Sequence, residues 1–269
     1  MWIEALQTFD YLEITFALSY VDIANGSIAG QETKTDTLTS EHKCTGHPRK
    51  RYYVHGHQET SGIVGAQANI TTRTMRLCDE DTVPAKHSAK SVAHIAVVRI
   101  VPPHNMWAQL GFKRFRFSGA EAITYTQYYE VASDPTGNDN TKYENSMDPG
   151  VPPTGTHNYR CELHRVNGSW HFYFDAAEHV SAPGTWGPWI NKSAQKADWT
   201  GEIRNQEDQM PGTVDEKCMF TDCKYTLVTT TVVDANFNVF NFATDDANQW
   251  QFELTGADSF SIWDTTPNQ

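Results

Sequence analysis

Apolar and polar residues alternate with a period of two through most of this chain, and glycine, proline and asparagine punctuate the runs. The pattern predicts strands over 62–77, 91–100, 106–117, 122–132, 157–166, 169–176, 197–205, 217–233, 238–244 and 250–256. No segment carries the 3.6-residue apolar spacing of an amphipathic helix over three turns. Many short strands with turn residues between them predict an all-β, antiparallel sandwich or barrel over residues 61–269. Residues 1–60 hold a strand or two and then a polar run, and are expected to be an N-terminal appendage or pro-segment. The polar stretch 133–155 reads as a long loop, because nothing in it could order itself by apolar burial.

The same alternation assigns faces. In MWAQLGFKRF (106–115), Met106, Ala108, Leu110 and Phe112 share the side expected in the core, while Trp107, Gln109, Gly111 and Lys113 share the other. In ADWTGEIRN (197–205), Trp199, Gly201 and Ile203 alternate with Asp198, Thr200, Glu202 and Arg204. A hairpin is predicted at Asn167-Gly168, which suits a two-residue type I′ turn with positive φ at both positions. That turn would pair Arg165 with Trp170, Leu163 with Phe172 and Cys161 with Phe174 on the core side. His164 with His171, Glu162 with Tyr173, and Arg160 with Asp175 would then fall on the polar side.

A net charge of −12 and a pI near 5.3 argue against nucleic acid and anionic membrane as partners. No apolar run is long enough to span a bilayer, and a monomer is expected. The apolar start, MWIEALQTFDYLEITFALSY, is broken by Glu4, Asp10 and Glu13 and lacks the basic beginning of a signal peptide. Sequons at Asn25, Asn69, Asn167 and Asn191 point to a secreted glycoprotein. Five cysteines allow at most two intrachain disulfides. Cys218 and Cys223 could be bridged or could be buried thiols. His55-Gly56-His57 offers two imidazoles without a third ligand, as do His164 and His171, so neither a metal site nor a cofactor is assigned.

Three segments, in order, resemble the neprosin-type and eqolisin-type glutamic peptidases. GAQANITT (65–72) resembles the Gly-Ala-x-Ala opening strand of the neprosin domain. HSAKSVAHIAVVRI followed by WAQLGF resembles the strand pair that carries the first catalytic residue, with Gln109-Leu110-Gly111-Phe112 nearer the eqolisin form. WTGEIRNQEDQMPG resembles the Trp-Gly-Gly-Glu-Val segment, with Thr200 in place of the first glycine. The likeness covers roughly residues 60–212. It implies a concanavalin-like jelly-roll sandwich and a catalytic dyad of Gln109 and Glu202 acting on a polypeptide substrate. Glu202 would be general base and then general acid, and Gln109 would orient water and donate to the oxyanion at acid pH. Trp107, Lys113, Trp199 and Thr200 would line the substrate groove.

A binding module for carbohydrate or protein is the alternative, since a sandwich hosts lectins as readily as hydrolases. Trp186, Trp189 and Trp199 would then be candidates for stacking on sugar rings. A glycoside hydrolase or lyase with paired carboxylates is a third class, weakened by the lack of a compact Glu-x-Asp-x-x-Glu strand. The peptidase requires the side chains of Gln109 and Glu202 within one water of each other.

Overall fold

The computed structural model describes residues 3–8, 11–22, 27–39, 51–73, 75–78, 85, 88–101, 105–120, 122–132, 142–146, 155–181, 189, 191–238 and 241–265. In the first three stretches, in 142–146 and in 179–181, it describes the backbone alone. The chain divides into two units, Met1–His42 with Thr266–Gln269, and Lys43–Thr265. The first unit contains a three-stranded antiparallel meander of β1 (Ile3–Thr8), β2 (Tyr11–Asp22) and β3 (Ser27–Thr39). The second unit begins well before position 61, because its longest strand already starts at Tyr52.

That unit is built from β4 (Tyr52–Thr71), β5 (Ala89–Arg99), β6 (Met106–Arg116), β7 (Thr124–Ala132), β8 (Lys142–Ser146), β9 (Thr156–His164) and β10 (Ser169–Phe174). Then follow β11 (Ala177–Ser181), β12 (Ala194–Ile203), β13 (Cys218–Leu227), β14 (Val232–Asp234), β15 (Phe242–Thr244), β16 (Trp250–Gly256) and β17 (Ser259–Asp264). Their pairing is antiparallel throughout. β4 holds the two layers together. Its first half pairs with β15 and β12, which leads on through β5, β6, β7 and β8. Its second half pairs with β9 and β13, which lead to β10 and β11 on one side and β17 and β16 on the other. Gly62, with φ +86°, sits where β4 passes from one layer to the other, a corner of the kind that closes a sandwich.

The layers meet through apolar side chains. Tyr129 of β7 stacks on Phe172 of β10 with ring centroids 4.8 Å apart. Gly201 of β12 faces β17 so closely that a Cβ there would lie 2.8 Å from Met210 Sδ and collide with Ile262. Ala93, Ile95, Val97, Ala108, Leu110, Phe112, Val131 and Trp199 all belong to the core between them. The all-β antiparallel sandwich expected from the alternation is the architecture of this unit, in the jelly-roll form that the resemblance implied. No helix of the described residues is long and apolar enough to cross a membrane.

Three local expectations change. The polar stretch 133–155 contains β8, which pairs with β7. At the hairpin, the register pairs Trp170 with Leu163 and Phe172 with Cys161, two residues displaced from that expected. An even displacement leaves every side chain on its expected face, so Trp170, Phe172, Cys161 and Leu163 are still buried. Only Gly168 has positive φ. Asn167 instead uses its Oδ1 to accept from the backbone N (3.0 Å) and Oγ (2.7 Å) of Ser169, which stabilises a four-residue loop. The two-residue turn with both φ positive lies one strand later, at Asp175 (48°) and Ala176 (66°) between β10 and β11. Finally, Cys161, Cys218 and Cys223 are free, buried thiols, which excludes two intrachain bridges; Cys78 alone among the described cysteines is bridged.

Candidate functional site

The β4–β12–β5–β6–β7 layer has one face in the core and one turned away from it. Cross-strand partners share a face, so the register reads out the second face row by row. One row runs His57, Asp198, Ala96, Gln109, Glu130; the next runs His55, Thr200, His94, Gly111, Tyr128. A third runs Tyr53, Glu202, Val92, Lys113, Thr126. Although the face is polar, Glu130 is 0% exposed, Glu202 2% and Gln109 6%. Asp198, Thr200, His94 and Lys113 are buried as well. Polar groups are buried at little cost only when they are paired, and most of these are.

Gln109 owes its pairing to β7. Its Nε2 donates to Glu130 Oε2 at 3.2 Å, and Trp107 Nε1 donates to Glu130 Oε1 at 3.0 Å. Glu202 is held elsewhere, by Lys90 Nζ at 3.2 Å and Arg51 Nη1 at 3.6 Å from its Oε1. Burial alone would raise the Glu202 pKa, but the two cations outweigh it and bring it down to about 2. His94 lies between these groups. Burial pushes its pKa down to about 4, against the pull of Glu202, and its Nδ1 has no hydrogen-bond partner.

The two residues of the expected dyad are thus on one face but not together. Gln109 shares its row with Asp198, and Glu202 stands four residues further along β12 with β5 intervening. At the usual strand spacings that is about 13 Å along and about 10 Å across, more than two side chains and a water can span. The expected gap beside Gly111 is also filled. A Cβ on Gly111 would overlap the Ala93 carbonyl oxygen and lie 2.6 Å from His94 Cα, so the glycine admits β5, not a substrate.

The expected groove residues divide. Trp107 is half-buried on the polar face, and Lys113 lies there with its Nζ 4.7 Å from the centroid of the Tyr128 ring. Thr200 is on the same face. Trp199 is not: it is fully buried in the core, donating from Nε1 to the Gln67 carbonyl at 2.9 Å and meeting Phe237 edge-on. Alternation with Asp198 and Thr200 requires this, so Trp199 cannot wall a groove on their face. Trp189 is likewise buried, edge-on to Trp170, and Trp186 lies outside the described residues. Of the sequons, Asn167 and Asn191 are exposed, Asn69 is half-buried with its Oδ1 accepting from Asn158, and Asn25 lies outside the described residues.

Two groups were missed from sequence. Glu130, the hub of the Trp107–Gln109 pairing, gives no signal in TYTQYYEVA beyond an acid in an apolar run. Asp198 comes within reach of His55 and His57, with one ligand atom from each residue lying within 4.8 Å of the others. The pair that lacked a third donor in sequence acquires one because β12 docks beside β4.

No protein-family model matches the chain, and no curated protein sequence matches it, so the peptidase likeness of the three short segments stands without support. Among solved structures it is similar to an endo-β-1,3-glucanase from Pyrococcus furiosus, at 10% identity, over 96% of this chain and 80% of that one, with a TM-score of 0.31. It is also similar to the β-porphyranase BpGH16B from Bacteroides plebeius, at 9% identity, over 71% and 64% of the two chains, with a TM-score of 0.23. At such scores neither likeness bears on function, which rests on the residues of the polar face.

Proposed function

We propose that this chain is a secreted carbohydrate-binding module whose ligand docks along the non-core face of β12, β5, β6 and β7. The observation that carries the reading is a continuous polar strip of Asp198, Thr200, Glu202, His94, Gln109 and Glu130 on the non-core sheet face, buried itself but flanked by the half-buried Trp107, His55 and His57, through which a ligand meets it. Hydroxyl-rich ligands require donors and acceptors side by side, and the strip with its margin supplies carboxylates, a hydroxyl and imidazoles. Trp107, half-buried beside Glu130, offers an indole for a sugar ring.

Proton-transfer chemistry has less support. Glu202, held at about 2 by Lys90 and Arg51, is a weak base and gives up a proton too readily to carry one to a leaving group, so it suits neither step of the general-base and general-acid role. The Gln109 amide is already committed to Glu130. The exposed sequons at Asn167 and Asn191 fit the secretory route.

The test is affinity electrophoresis through gels containing β-glucan, xylan, mannan or galactan. At least one polysaccharide should retard the wild-type chain, and Trp107→Ala should lose at least about tenfold in affinity, as stacked anchors do. No retardation by any of them, together with acid-range cleavage of a denatured protein, would overturn the reading in favour of the peptidase.

A further inference from the structure

We infer that His55, His57 and Asp198 form a binding site for a late first-row divalent metal ion such as Zn²⁺ or Co²⁺. The site does not depend on the carbohydrate reading. His55 and His57 stand two apart on β4, so both imidazoles project from the same face, and Gly56 between them turns toward Phe242 and Phe260 in the core. Asp198 sits on β12 directly across from His57. The His55 Nδ1 to Asp198 Oδ1 distance is 3.6 Å, the two imidazole centroids are 5.5 Å apart, and one ligand atom from each residue lies within 4.8 Å of the other two. Metal–donor bonds of about 2.0–2.1 Å place tetrahedral donors about 3.3 Å apart. Side-chain rotations closing about 1.5 Å would therefore complete the triad on a backbone already in place.

A second observation points at a ligand. His57 Nδ1 is buried and has no hydrogen-bond partner. Such an atom carries a desolvation cost that a coordinate bond would offset. Two nitrogen donors and one oxygen favour zinc, cobalt, nickel or copper over calcium or magnesium, which take oxygen shells. Three protein donors leave a position for water or for a ligand oxygen, the composition of an open site.

Without a metal the carboxylate belongs to Lys196, whose Nζ lies 2.9 Å from Asp198 Oδ1. Lys196 is two residues from Asp198 on the same face of β12, and a divalent ion must displace it. Lys196 is thus a competitor built into the site, and its removal should strengthen binding.

The experiment is titration of the intact chain with Co²⁺, followed by visible absorption and by calorimetry. One ion per chain is expected, with ligand-field bands, and an affinity at least about tenfold weaker in His55→Ala and in His57→Ala. Lys196→Ala should bind several-fold more tightly, and because it adds binding it stays decisive if a histidine variant fails to fold. His171→Ala, at the separate His164–His171 pair, should change nothing. Absence of binding by the wild-type chain at millimolar Co²⁺, or binding that survives His57→Ala unchanged, would overturn the site. Binding by Lys196→Ala alone would overturn it too, since Lys196 would then keep the native chain free of metal.

Discussion

At the centre of the polar face one imidazole is kept neutral and one carboxylate is kept ionised, and both make the fold sensitive to acid. His94, lowered by burial to about 4 from 6.5, leaves the unfolded chain holding the proton first as pH falls. Its share of stability is therefore fully present above pH 6.5 and lost by pH 4, amounting to about 3 kcal/mol. For Glu202, burial is outweighed by Lys90 and Arg51, and the pKa falls from 4.5 to about 2, so its share is present above pH 4.5 and lost toward pH 2. Burial also raises the Asp208 carboxyl to about 6, and its contribution grows as pH falls through that value, opposing His94. Urea unfolding between pH 7 and 4 should therefore show the stability of His94→Gln falling less, or rising more, than that of the wild type. An unchanged slope in that variant would show that some other group titrates there. Gly111 makes a second demand on the same spot. Gly111→Ala would drive a methyl into the β5 backbone, and its cost should be at least about 3 kcal/mol; a variant that melts with the wild type would refute the close approach.

At the scale of elements, the sequence revealed which side of a strand faces the core but not which strand lies beside which. Alternation in MWAQLGF and HNYRCELHRV placed Leu110, Phe112, Cys161 and Leu163 correctly, because a period of two is fixed by strand geometry. It should also have kept Trp199 out of the groove, since Asp198 and Thr200 flank it. Glu202 was linked to Gln109 through short motifs, yet β5 intervenes and the register offsets them by four residues. Pairings between segments far apart in the chain depend on the whole packing, and no local pattern encodes them. Turn chemistry misled in the same way: Asn167-Gly168 carries the better type I′ signal, whereas Asp175-Ala176 adopts the left-handed pair. Asp175 is helped there by His157, whose Nδ1 lies 2.7 Å from its Oδ2, and by the Asn158 amide. Ala176 has no such support, and a left-handed alanine costs about 1 kcal/mol or more relative to glycine. Ala176→Gly should therefore raise the unfolding free energy by about 0.5–1 kcal/mol. A loss of stability in denaturant unfolding would contradict the turn assignment.

At the scale of the whole unit, β4 explains why the sandwich can present such a face at all. One strand of twenty residues supplies the middle of both layers, so β12, β5, β6 and β7 are fixed on one side while β9, β10, β13 and β17 close the core on the other. The polar face lies outside the apolar core, and its acids, amide and imidazole are buried and mostly paired beneath the half-buried Trp107, His55 and His57. The most direct check is hydrogen–deuterium exchange of the chain with and without the polysaccharide fragment that binds best. Added protection should concentrate in 106–116, 124–132 and 194–203. Protection confined to the opposite layer, such as 218–227 and 259–264, would place the ligand elsewhere and contradict the account.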